Sequence, residues 1–544
     1  MKLTRVHIVK AATCGGLLDG LDVACRGTQT GPEEFDPLCL VGPNGAGKSQ
    51  FLQVLAEVFQ AVFHTCVREE ERAKGNEDLQ FEVEYVISPT PSRAPVVVRL
   101  SRLAEGKRRP AVKIERRQGS EWLPCPMNKP TTRELLPSRL IGYTSGDNET
   151  LSLPFLVSRS GYADAVGKQA LARDHRATKP IPDTRLMLVD YGTHLEVLAA
   201  NLILGSVEER NTLLRDAKLK DIHSLRCVIQ LAHRAVPKIA VQRTSSRKRK
   251  GVQLTDELEG YIDCLARCST CHSYDEKSET YIFDFLVTDE TRTAFRCFWK
   301  TSLELYSALH KLSMLNDLAI PRVTRERLMR DIETRRFASR LPEPQDEDRV
   351  FRFEQVRFVP ITGSGVVDYV SLSDGEHQLA QILGTMCMVS FPNVLFLLDE
   401  PESHFNPQWR VKFISRLKDL ATANGERGKP GAASAKQECL LTTHSPFVPS
   451  DMAREKVLIF KKSEGGVHVR RPSVETFGAT FDAILEECFD VRPPMSEGPR
   501  REIAELMKSE DTAAIRAGIA RLGDSVEKVF LMDRLRQLSR RGDV

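Results

Sequence analysis

What this chain has little of narrows the field first. Its 544 residues include only 3 Trp and 7% aromatic residues. The longest apolar stretch, Ile382 to Leu398, is broken by Gly384, Pro392 and Asn393 and runs into Asp399 and Glu400, so no membrane-spanning segment is expected. The start, Met1 to Arg5, lacks an apolar signal core. The 13 Cys are odd in number and scattered, which points to a reducing cytoplasm without disulfides. A dominant charge is missing too: 78 Lys and Arg against 74 Asp and Glu leave a net +4. That field is too weak to argue for nucleic acid, and any basic footprint must be local. Sustained heptads are absent, which argues against a long coiled-coil arm, and no internal repeat is visible. The length leaves room for about three domain-sized units, fewer if the chain leaves a domain and re-enters it.

What is present is chemistry at strand ends. Leu3 to Val9 and Pro37 to Val41 read as strands, and the second leads into Gly42-x4-Gly47-Lys48-Ser49, followed by apolar residues at helical spacing through Phe59. Strand, glycine-rich loop and helix form a phosphate loop. Its backbone N–H groups turn inward and the helix N-terminus adds partial positive charge. Gly42, Asn44, Gly45, Ala46, Gly47, Lys48, Ser49 and Gln50 are the candidate nucleotide cradle, with Lys48 on the β- and γ-phosphates and Ser49 on magnesium. A second apolar strand, Val394 to Leu398, ends in Asp399 and Glu400. Adjacent residues at a strand end point to different sides, so Asp399 is expected in the magnesium shell and Glu400 is expected to polarise the attacking water.

Ser373 with Glu376 three residues on is a capping box for a helix through Leu383. Leu372 to Gln378 also resembles the signature motif of the ABC-type ATPases. By that resemblance Ser373, Gly375 and Glu376 contact nucleotide. The 26 residues from Ser373 to Asp399 leave room for one helix and one strand. Pro401 to Pro407 resembles the D-loop of that superfamily. Leu440 to Pro446 resembles its switch segment, with His444 sensing the γ-phosphate. Since that superfamily sandwiches ATP between one module's phosphate loop and another's signature, a chain with one of each is expected to form a head-to-tail homodimer or a higher oligomer.

Lys48 and Ser373 lie 325 residues apart, far wider than in a transporter-type module. That insertion, with the forms Asp399-Glu-Pro-Glu-x-His404 and Thr443-His-Ser-Pro446, resembles the RecF, SMC and OLD branch. Ile141 to Glu149 and Glu475 to Ala479 resemble prokaryotic restriction-associated and Septu-type or retron-encoded defence ATPases. Residues 145–149 stand where a Q-loop stands, and Asn148 replaces the usual glutamine as a candidate magnesium contact. The resemblance implies an α/β fold: an ABC-type head, a mixed sheet with flanking helices plus an antiparallel β-subdomain, and a large, mainly helical insertion. The expected boundaries are 1–150 for the first ATPase lobe, 151–345 for the helical insertion, 346–470 for the second lobe and 471–544 for a helical tail. Helices are expected at Glu196 to Leu204, Glu208 to Asp216, Ile222 to Val236, Thr291 to Leu312 and Arg322 to Arg335, and Ala421 to Ala435 reads as a mobile surface loop.

The tail lacks the clustered acidic pattern of a metal-dependent nuclease, so a separate nuclease effector is the implied partner. Regulation of that effector in anti-phage or restriction defence is the expected role, and a DNA-repair or chromosome-maintenance clamp is the alternative. Nucleic acid would meet the basic run Arg243 to Lys250. Cys264, Cys268, Cys271 and His272 lack a second close Cys/His pair, which disfavours zinc.

Overall fold

The computed structural model describes the chain apart from residues 28–33, 90–93, 105, 107–109, 146–148, 171–178, 191–192, 233–250, 322, 328–329, 331–343, 364, 424 and 543–544. Two compact units result, Met1–Gly478 and Ala479–Val544.

The first unit is a mixed α/β body built on three larger sheets. A seven-stranded sheet runs in the order Gly466–Arg470, Val457–Ser463, Leu38–Val41, Glu438–Thr442, Val394–Asp399, Arg139–Thr144 and Leu186–Val189. All neighbours are parallel except the terminal hairpin. Its inner strands are buried throughout and mostly apolar because both faces are covered, as parallel sheets require. The helix Lys48–Cys66 is buried along most of its length. A six-stranded antiparallel sheet holds Leu21–Ala24, Lys2–Lys10, Gln80–Ile87, Val96–Arg102, Lys113–Gln118 and Glu121–Pro124 in that order. Gln80–Ile87 alternates buried and half-buried residues at period two, the mark of a sheet with one covered face.

The middle of the chain, richer in helix than in strand, departs from expectation by also carrying strands. Leu219–Gln230 is a strand, where helix was expected from Ile222 to Val236; residues 233–236 lie outside the described ones. It pairs antiparallel with Thr280–Leu286 and Phe351–Pro360 at the centre of a five-stranded sheet. The register shifts three times between Leu219 and Arg226. Such bulges break the two-residue alternation, so Ile222, Leu225 and Val228 fall at a spacing that mimics a helix. The helix expected from Thr291 to Leu312 is two, Asp289–Arg296 and Ser302–Ser313, because Thr301 caps the second by accepting from the Glu304 N–H at 3.2 Å. His194–Leu204 and Val207–Leu214 are helical as expected, and most of Arg322 to Arg335 lies outside the described residues. Leu186–Val189, within the expected insertion, is itself the last strand of the seven-stranded sheet.

Ala421 to Ala435 is not simply a surface loop. It folds as a small ribbon, Ala421–Thr422 with Gly425–Glu426, and sends Arg427 fully inside. The guanidinium donates to Gln437, Met386 O and Val389 O and lies 4.8 Å from the centre of the Phe35 ring. Loop composition hides such an anchor, since one side chain carries it.

The second unit contains the helices Phe481–Phe489, Glu497–Lys508, Thr512–Arg521 and Val526–Gly542, with a small core of Ile503, Ile515, Ile519 and Leu531.

Candidate active site

Three adjacent parallel strands, Leu38–Val41, Glu438–Thr442 and Val394–Asp399, end side by side and deliver the chemistry from their carboxyl ends, where open α/β sheets bind ligands. Gly42 has φ +135°, and a Cβ there would lie 2.2 Å from the Phe460 carbonyl oxygen, so no larger residue fits. Asn44 and Gly45 are exposed at the loop's tip, Ala46 and Gly47 are buried, and Gln50 is half-buried. The Lys48 ammonium donates to the carbonyls of Gly42 at 2.9 Å and Pro43 at 3.1 Å, folded over the loop it would share with a phosphate. Burial lowers its pKa, while Glu400 and Asp399 oppose the shift.

The Ser49 hydroxyl donates to Asp399 Oδ1 at 2.9 Å, and the Thr442 hydroxyl donates to the same oxygen at 2.6 Å. Burial pushes the Asp399 carboxyl up, and these two hydrogen bonds oppose the shift without cancelling it. A serine hydroxyl and a carboxylate at this separation form a hard oxygen pair of the kind magnesium takes when phosphate and water complete its shell. The donor set therefore fits Mg-ATP: Ser49 and Asp399 would hold the metal, Lys48 and the loop amides the phosphates.

Glu400 has the left-handed φ of +47°, rare for a side chain of its size, and its N–H donates to the Thr442 hydroxyl at 2.9 Å. This strained link turns consecutive acids to different tasks. The His444 Nε2 lies 3.4 Å from Glu400 Oε1. Burial and nearby Lys48 both lower the His444 pKa, with Asp399 opposing, which favours a neutral imidazole. An acid able to take a proton from water and an imidazole beside it thus meet at the phosphate loop.

Ser373, Gly375 and Glu376 behave differently. Ser373 is exposed and caps Asp374–Met388 through a reciprocal box with Glu376. A Cβ at Gly375 would lie 2.8 Å from the His404 carbonyl oxygen, so this glycine has a packing reason: the helix Asp374–Met388 presses on the turn after Glu400. Gln378 grips that turn, donating to the Ser403 hydroxyl at 3.1 Å and accepting from the His404 N–H at 3.0 Å. His404 Nε2 in turn reaches the Ser145 carbonyl at 3.2 Å. Asn148 and the run Arg243 to Lys250 lie outside the described residues. Among the described residues no group of three or more His, Cys, Asp or Glu is arranged for a metal ion, and no helix is long and apolar enough to cross a membrane.

Thr442, Glu402 and Gln378 were not singled out from sequence. The tandem threonines before His444 were the available signal for the first, while Gln378 and Glu402 sat inside motifs read for their neighbours.

Residues 310–451 match the family described as "AAA domain, putative AbiEii toxin, Type IV TA system". The match supports a P-loop ATPase of the AAA/ABC type. It spans Ser373, Asp399, Glu400 and His444, and the phosphate loop precedes it. Protein ea59 of Escherichia phage lambda is 23% identical over 172 residues, 31% of this chain. The chain spans 31% of the length of that relative.

Proposed function

We propose that this protein is an ABC-type ATPase of the RecF, SMC and OLD-like branch that closes as a head-to-tail homodimer around Mg-ATP and gates a separate nuclease effector in prokaryotic defence. The observation that carries the catalytic part is the meeting of Lys48, Ser49, Asp399, Glu400 and His444 at three neighbouring strand ends. Magnesium, when bound, neutralises phosphate charge; Lys48 orients the phosphates, Glu400 orients and deprotonates the attacking water, and His444 holds Glu400 in place. Ser373 stands exposed at its helix start, on the surface a second copy would approach, which supports the dimer. The defence role rests on resemblance in the motifs and on the helical tail, which carries no acidic nuclease cluster in its sequence.

The test separates the parts. Purified protein should hydrolyse ATP in magnesium, and Glu400→Gln should keep ATP bound and shift the mass to a dimer while turnover falls. Full turnover by that variant sinks the catalytic assignment. A monomer at saturating ATP removes the composite site. Co-purification from the native operon, with the partner assayed for nuclease activity, checks the effector.

A further inference from the structure

Glu402, the second acid of the Asp-Glu-Pro-Glu run, has no part in the chemistry above and yet is almost completely buried, at 2% exposure. Its Oε1 accepts from the Thr443 hydroxyl, and among the described residues its buried Oε2 has no hydrogen-bond partner. A carboxyl held this way costs desolvation free energy and returns one hydrogen bond, so stability alone is a poor reason for it. Burial, with the Glu400 charge adding, pushes its pKa up to about 7.

The contacts give a better reason. Thr443 is fully buried, its N–H donates to the Leu40 carbonyl at 3.2 Å, and its hydroxyl also accepts from the Ser445 N–H at 2.9 Å. One hydroxyl therefore shapes the turn on both sides of His444 while it is tied to Glu402. On the other strand, the turn carrying Glu402 is closed by Ser403 N–H to Glu400 O at 3.2 Å and Phe405 N–H to Glu402 O at 3.0 Å. The same turn sets the left-handed backbone of Glu400. Glu402 and Thr443 thus join the two segments whose tips, Glu400 and His444, lie 3.4 Å apart.

We propose that Glu402 and Thr443 form a latch that positions the His444 imidazole against Glu400, an inference that rests on the ATPase reading above. Both are positioning residues, since neither reaches the phosphate loop in the contacts described. The latch acts on turnover and leaves nucleotide binding alone, because Lys48 and Ser49 are anchored separately, on Gly42, Pro43 and Asp399.

The test is a set of steady-state ATPase measurements on the full chain. Glu402→Ala and the nearly isosteric Thr443→Val should each lower kcat by about tenfold with KM for ATP within about twofold. Glu402→Gln and Thr443→Ser, which preserve the acceptor and the hydroxyl, should recover most of that loss. In a His444→Ala background, Thr443→Val should add less than about a twofold further loss, since the latch then has nothing to position. A merely structural pair would lower turnover by the same factor with or without His444, and that result overturns the proposal, as does undiminished kcat in Thr443→Val. If Glu402→Ala does not fold, the two threonine variants and Glu402→Gln decide alone. Failure of the ATPase reading is distinct: wild-type protein would then hydrolyse no ATP, or Lys48→Ala would hydrolyse it as well as wild type.

Discussion

The strand ends around Lys48 and the five-stranded sheet around Leu219–Gln230 are both built from β-strands, yet they disclose themselves in opposite ways. At the first, each functional group lies within a few residues of a strand end, so motif order and spacing carry the geometry. At the second, the strand is defined by partners 50 and more residues away and by bulges that scramble its period. Local chemistry survives as a local pattern; non-local pairing does not.

The contrast can be broken or sharpened by substitution. The largest effect belongs to the strand ends: Glu400→Gln should reduce turnover by about 10²- to 10⁴-fold, the range of a positioned base, with little change in thermal stability. Next comes Phe283, fully buried in the five-stranded sheet, where Phe283→Ala should cost about 3–5 kcal/mol by denaturant titration. KM for ATP should stay at the wild-type value in the folded fraction, and a large change in KM would show that the two regions are one functional piece.

The third effect concerns Glu196, buried on the helix His194–Leu204, whose carboxyl burial pushes up to about 7. A carboxyl with a raised folded pKa binds its proton more tightly folded than unfolded. Stability should therefore fall as pH rises from about 4.5 to about 7, by about 3 kcal/mol at most. Glu196→Gln should flatten that slope, measured as the denaturation midpoint across the window. The smallest effect is expected at the half-exposed pair Arg226 and Asp284, 2.7 Å apart, where Arg226→Ala should cost no more than about 1 kcal/mol and less in high salt.

Sequence alone thus singled out Gly42 to Ser49, Asp399, Glu400 and His444, which the fold brings to neighbouring strand ends, because motifs of this kind set particular residue types at particular offsets. It reached the strand Val394–Asp399 and the helix capped by Ser373 for the same reason. It missed Leu186–Val189, a four-residue strand whose place is set by Arg139–Thr144. It missed the burial of Arg427 because glycine, alanine and serine around it look like a loop. For Gly375, a nucleotide contact by resemblance, the structure adds a reason visible only in space, the backbone of His404 pressed against it.

The sheet order has a consequence for how the protein comes into being. Leu38–Val41 is made long before its partners: both its neighbours, Glu438–Thr442 and Val457–Ser463, lie some 400 residues further on. At ribosomal rates of about 5–20 residues per second, the strand beneath the phosphate loop waits roughly 20–80 seconds with both edges bare. Such an edge invites pairing with other chains. Nascent chains stalled between residues 66 and 438 should therefore engage chaperones strongly, and the phosphate loop gains its neighbouring strand ends only when synthesis of this unit is nearly complete.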